Sequence, residues 1–113
     1  MKRDELQYQF DAEEGSFLLK LRCELIWDKE AFHCLVEAME VCAREQEAVQ
    51  ALDRKTAEGF WYCSWFIEQW ATHPSFPKDY DEDYYQQAFE HLRDLSFWYF
   101  TGHKPWKDSL PQS

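Results

Sequence analysis

Glu30 and His33 stand three residues apart, the Glu-x-x-His spacing with which helix bundles hold paired iron or manganese ions. Such a centre takes two of these motifs and two further glutamates. No second Glu-x-x-His occurs among the four histidines of this chain. Asp79, Asp81, Asp83 and Glu90 fall at the first, third, fifth and twelfth positions of a calcium-loop pattern. The sixth position of that loop is a glycine that makes its sharp turn, and Tyr84 stands there, so the stretch reads as the start of a helix. Nucleophilic catalysis needs a Ser or Cys beside a His and an orienting carboxylate. These residue types are present, but no spacing brings them together. With three glycines in all, no phosphate-cradling loop can be built. No metal site, no cofactor and no catalytic residue is expected, so an enzyme is not expected either.

The residues with the strongest physical signature are aromatic. From Gly59 the chain reads Phe60-Trp61-Tyr62-Cys63-Ser64-Trp65-Phe66-Ile67, more than two helical turns with almost no polar circumference. One role for such a helix is the centre of a core. The other is to leave a ring face uncovered, with Trp61 and Trp65 at i, i+4 offered to a partner, a second copy or a flat pigment. Trp and Tyr suit interface anchors because each joins a large apolar area to a polar handle. Trp61, Tyr62 and Trp65 are the candidate anchors, and Asp81, Glu82 and Asp83 the candidate charges that assist encounter. A small domain can hardly cover such a helix on every side, which points to a homodimer.

Several elements must position these residues. Leu6, Tyr8 and Phe10 alternate with polar residues, and alternation resumes through Phe17, Leu19, Leu21, Cys23 and Leu25 after a turn holding Gly15. Period two on both sides of a turn predicts a β-hairpin, its outer face carrying Lys20, Arg22 and Glu24. Asp28 then caps a helix over about 29–45, whose inner stripe is Phe32, Leu35, Val36, Met39, Cys42 and Ala43. Residues 44–55 are polar and fit either a helical extension or a loop. The aromatic helix follows, ended by His73-Pro74 and Phe76-Pro77. Asp79 and Glu82 have capping-box spacing for a last helix, with an inner stripe of Tyr85, Ala88, Phe89, Leu92, Leu95 and Tyr99 and a stop at Gly102. The expected fold is α+β, an N-terminal hairpin and three principal helices around an aromatic core. An all-α bundle is the alternative if residues 16–27 are helical.

At 113 residues and 45% hydrophobic content the chain suits one domain, 1–113, with about 1–5 and 103–113 loosely ordered. Six Trp and 19% aromatic residues rule against general disorder. A net charge of -10 repels phosphate backbones and anionic lipid, so neither nucleic acid nor a membrane is an expected partner. It favours a basic protein partner. The positively charged run Lys104-Pro105-Trp106-Lys107 is too short for a nucleic-acid site. Cys23, Cys34, Cys42 and Cys63 form no C-x-x-C pair and lie among apolar residues, where a thiol serves as a small core group. With no leader and no long apolar run, a reducing cytoplasm is the expected compartment.

Trp70-Ala71-Thr72-His73-Pro74-Ser75-Phe76-Pro77 and Asp94-Leu95-Ser96-Phe97-Trp98-Tyr99-Phe100-Thr101-Gly102 resemble stretches of small uncharacterised cyanobacterial proteins. That resemblance covers mainly the C-terminal half and implies no activity. His73-Pro74-Ser75, followed by an acidic, Tyr-rich stretch, is similar to the nuclease immunity proteins of colicins, which are small, acidic and helical. Their Tyr-Tyr-Pro element is absent here and they lack an N-terminal hairpin, so no residue role is carried over. The expected function is a dimeric cytosolic interaction or regulatory protein. The alternatives are a binder of a small hydrophobic ligand or pigment, and an immunity-type inhibitor of a basic enzyme.

Overall fold

Helices account for all the regular structure in the computed structural model, which describes residues 2–106. In chain order they are α1 (Lys2–Phe10), α2 (Phe17–Leu19, widening into a π-helical turn over Lys20–Glu24), α3 (Lys29–Glu45), α4 (Arg54–Ala71) and α5 (Glu82–Thr101). No strand occurs among the described residues, so the expected α+β fold with its β-hairpin is wrong and the chain is all-α. Helix α1 begins within the stretch 1–5 expected to be loose. The segment 103–106 carries no helix, and 107–113 lie outside the described residues.

The hairpin fails for residue-level reasons. Leu6 and Phe10 are spaced i, i+4 as well as by alternation, so one helical face carries both. Gln9, on the polar side of the alternation, is buried at 2% exposure. Lateral pairs of Gln9 with Glu5 and of Gln7 with Asp11, each four residues apart, support the same helix. In the second run Phe17, Leu18 and Leu19 are consecutive, which already breaks period two. Phe17, Leu18 and Leu21 are the buried positions, whereas Cys23 and Leu25 are exposed. Ser16 caps this turn, its Oγ accepting from the Leu19 amide at 3.3 Å. Lys20, Arg22 and Glu24 do not share a face. Lys20 turns to Asp28 at 2.6 Å, the Arg22 guanidinium lies 6.0 Å from the Phe66 ring, and Glu24 faces solvent. Leu25, at φ 56°, ends the turn, and the Lys20 carbonyl accepts the amides of both Leu25 and Ile26.

Trp27 then enters the core. Its ring packs within about 6 Å of Phe17, Phe32, Tyr84, Tyr85 and Phe89, and its indole N–H donates to the Tyr84 hydroxyl at 2.9 Å. Asp28 caps α3 as expected, accepting from the Ala31 amide at 3.1 Å. The helix buries Phe32, Leu35, Val36, Met39 and Ala43, while Cys42 is half-buried. The undecided 44–55 stretch resolves into a loop over 46–53. Asp53 caps α4 with bonds from the Thr56 amide and hydroxyl. Helix α5 is capped by Asp81, which accepts from the Tyr84 amide at 3.0 Å, two residues later than the expected Asp79 cap. Asp79 instead donates its backbone amide to the buried Tyr85 hydroxyl. Every residue of the expected α5 stripe is buried, and Trp98 and Ser96 join it. Gly102 closes the helix at φ 80°, its amide bonded to the Trp98 carbonyl.

Helix α1 reaches the bundle by a close approach. A Cβ on Gly59 would stand 2.1 Å from the Phe10 ring, which packs edge-on against Phe60 at 5.6 Å. Glycine at 59 costs helix stability but lets this ring lie against the α4 backbone. Cys63 is fully buried, and burial pushes its thiol well above the ordinary range. Cys23 and Cys34, expected in the core, are exposed. No helix among the described residues is long and apolar enough to cross a membrane.

Candidate functional site

Helices α4 and α5 lie antiparallel, and three contacts set their register. Phe60 stacks on Tyr99 with ring centroids 4.2 Å apart and planes 3° from parallel. The Ser96 hydroxyl donates to the Phe60 carbonyl at 3.0 Å, and Arg93 pairs with Glu68 at 2.7 Å. Phe60, Cys63, Ile67 and Ala71 form the buried stripe of α4. The rest of its circumference divides into two flanks.

One flank carries Tyr62, Phe66 and Trp70, half-buried and stacked in a ladder at 4.7 and 5.2 Å. The turn after α2 covers this ladder, and the Trp70 indole N–H donates to the Leu21 carbonyl at 3.0 Å. The other flank carries Trp61, Trp65 and Glu68 at i, i+4 and i+7. Trp61 and Trp65 stack 5.8 Å apart with planes 3° from parallel, and both are about half exposed, at 54% and 51%. Across the seam, Arg93, Phe97 and Phe100 repeat the same i, i+4, i+7 spacing on α5. Because Glu68 and Arg93 meet, the two rows border the same side of the seam. Phe97 and Phe100, exposed at 49% and 44%, therefore stand level with the tryptophan pair. Four exposed aromatic side chains share one face.

This grouping differs from the one expected. Trp61 and Trp65 are together, but Tyr62 lies on the opposite flank. Asp81, Glu82 and Asp83 are exposed at the N-terminus of α5, where the Asp81 side chain is committed to its cap. Phe97 lies fourteen residues beyond Asp83, about 20 Å along the helix axis, so the acids do not rim the tryptophans. The acidic end has its own cation: the Lys29 ammonium stands 4.1 and 4.3 Å from the Tyr80 and Tyr84 rings. Sequence reasoning missed Phe97 and Phe100 as surface residues. Their spacing offset from the Leu92–Leu95–Tyr99 stripe was the signal that separates them from it.

Away from this face, a cleft of about 790 Å³ lies between α1, α3, the 46–53 loop and the first turn of α4. Its apolar wall includes Leu6, Phe10, Val41 and Leu52; Glu45, Asp53 and Lys55 contribute charge. Tyr99 lines it too, and burial pushes that hydroxyl up to about 12, with Cys42 and Asp53 adding in the same direction. Such a phenol is a hydrogen-bond donor rather than a base. No histidine lines the cleft. His33 makes a long surface contact to Glu37 at 3.9 Å, His73 accepts from the Ser75 amide, and His91 stacks on Trp106. Among the described residues no three His, Cys, Asp or Glu side chains are placed to hold a metal ion. No protein-family model, curated protein or solved structure matches the chain.

Proposed function

We propose that the protein is an interaction protein, acting in the cytoplasm, that docks a protein partner on the aromatic face of the α4–α5 seam. The observation that carries this is the exposure of Trp61, Trp65, Phe97 and Phe100 on one side of two packed helices. Each ring offers on the order of 200 Å² in total, so four half-exposed rings present roughly 400 Å² of aromatic surface. Patches of this size on a monomer are commonly functional. Trp is also the residue most enriched where interface energy concentrates. The 790 Å³ cleft is large enough for a small molecule, but its charged lining suits a flat apolar pigment poorly.

The test is capture from the native host with tagged wild-type protein and with a Trp61→Ser/Trp65→Ser variant, read by mass spectrometry. Both side chains are already half in water, so the variant keeps its helical circular dichroism. Loss of two anchors worth about 2 kcal/mol each weakens a partner by about three orders of magnitude. A stoichiometric partner, including an untagged copy of the chain, should vanish from the variant's capture. Identical captures by both proteins would sink the proposal.

A further inference from the structure

We infer that the cleft between α1, α3 and the start of α4 is a binding site for a small uncharged molecule with an apolar body and a carbonyl oxygen. The site is separate from the aromatic face and does not depend on what that face docks. Its depth and its mouth differ in chemistry. Leu6, Phe10, Ala38, Val41 and Leu52, all buried or half-buried, make the inner wall apolar. The charged side chains Glu45, Asp53 and Lys55 are exposed and form the mouth. Its volume of about 790 Å³ lies within the roughly 300–1,000 Å³ of sites that enclose small molecules. Such sites join apolar walls to a few fixed polar groups.

The fixed polar group here is Tyr99. The residue is 2% exposed, and its ring is held by the stack on Phe60. Among the described residues the sealed, unpartnered side-chain atom is Gln9 Oε1. The Tyr99 oxygen bonds none of the described residues yet is not sealed, so it keeps an opening. That opening is the cleft, because Tyr99 lines it and the two groups that act on the hydroxyl, Cys42 and Asp53, are also its walls. Burial keeps the phenol protonated, so it presents an O–H that needs an acceptor. The class of acceptor follows from the surroundings. A carboxylate at that depth would lose its water for one neutral donor, with the Asp53 carboxylate in the same wall. An ammonium brings a proton rather than a lone pair. A wholly apolar molecule would cover the O–H and leave it unpaired, which is costly. A carbonyl oxygen supplies the lone pair with no charge to desolvate.

Amide-resolved NMR titration of the full chain with benzylacetone, a small aryl ketone, tests the site. The comparison probe is hydrocinnamate, which has nearly the same shape but ends in a carboxylate. The ketone should bind with a Kd on the order of 1 mM, as suits so small a ligand. Its shifts should centre on residues 38–46 and 51–56 and spare 61–65 and 97–100. Hydrocinnamate should bind at least about tenfold more weakly. Tyr99→Phe, which keeps the ring on Phe60, should weaken the ketone about fivefold without lowering the unfolding midpoint, since no protein hydrogen bond is lost. Val41→Trp, which fills the inner wall from a half-buried position, should abolish binding while the helical circular dichroism persists. No saturable shift at the cleft, or shifts confined to the aromatic face, would overturn the site. A carboxylate that binds as tightly as the ketone, or a ketone indifferent to Tyr99→Phe or to Val41→Trp, would overturn the assigned ligand class and its place.

Discussion

Replacing Gly59 with alanine sets two opposed effects against each other, and their difference reports where α1 lies. Gly59 sits in the first half of α4, where alanine stabilises a helix by about 1 kcal/mol. In this structure the new Cβ would stand 2.1 Å from the Phe10 ring, with two further ring carbons within 2.6 Å. The α4 backbone cannot retreat without breaking the Phe60–Tyr99 stack and the Ser96–Phe60 bond, so the ring must move. Displacing it forfeits the edge-on contact with Phe60, about 1 kcal/mol, and part of the burial of a half-covered ring, about 1–2 kcal/mol. The net expectation for Gly59→Ala is a loss of about 1–2 kcal/mol in urea unfolding. Phe10→Ala removes the obstacle, so in that background Gly59→Ala should instead stabilise by about 1 kcal/mol. The sign change is the signature, and a double-mutant cycle isolates it. If Gly59→Ala stabilised the wild-type chain by the full helix-propensity amount, Phe10 would not lie against α4 and the docking of α1 described above would be refuted.

Asp28 serves both as the cap of α3 and as the partner of Lys20 at 2.6 Å, and substitution separates the two roles. The Lys20 hydrogen bond, followed by the Ala31 amide, holds the Asp28 carboxyl below its ordinary value, and the bond to Asp28 holds Lys20 above its own. A lowered carboxyl stabilises the fold above its unfolded pKa and loses that contribution as pH falls through the folded one; a raised amine loses its contribution as pH rises through the folded value. Asp28→Asn, which keeps a capping oxygen, should therefore be less stable than wild type by a margin that is flat from about pH 5 to about pH 9 and closes in strong acid. A margin unchanged in strong acid would mean the ion pair contributes nothing. Thiol labelling of the native protein should modify Cys23 and Cys34 quickly and Cys63 only at the rate of unfolding, because that thiol is both covered and kept protonated. Four fast sites would contradict the buried position of Cys63.

The inner faces of the long helices were legible in the sequence because each is a one-dimensional pattern. Phe32, Leu35, Val36, Met39 and Ala43 recur at helical spacing over about three turns, and Tyr85, Ala88, Phe89, Leu92, Leu95 and Tyr99 over about four. Over such lengths no other period fits, and local signals at Asp28 and Gly102 mark the ends. Short segments lack that redundancy. Leu6, Tyr8 and Phe10 satisfy period two, yet Leu6 and Phe10 satisfy the helical period equally well, and five residues cannot separate them. What decided the matter was tertiary: the Phe10 ring finds Phe60 across Gly59, and Trp27 needs Phe17 and Phe32 beside it. The same division holds for the candidate site. The i, i+4 spacing of Trp61 and Trp65 was visible along the chain, and so was the aromatic excess around them. Which flank of α4 would be covered was not, because it depends on where the turn after α2 comes to rest. That turn covers Tyr62, Phe66 and Trp70, and the Arg93–Glu68 contact brings Phe97 and Phe100 alongside the uncovered pair. Periodicity along a helix determines which residues share a row, and only the packing of distant segments determines which row is left to water.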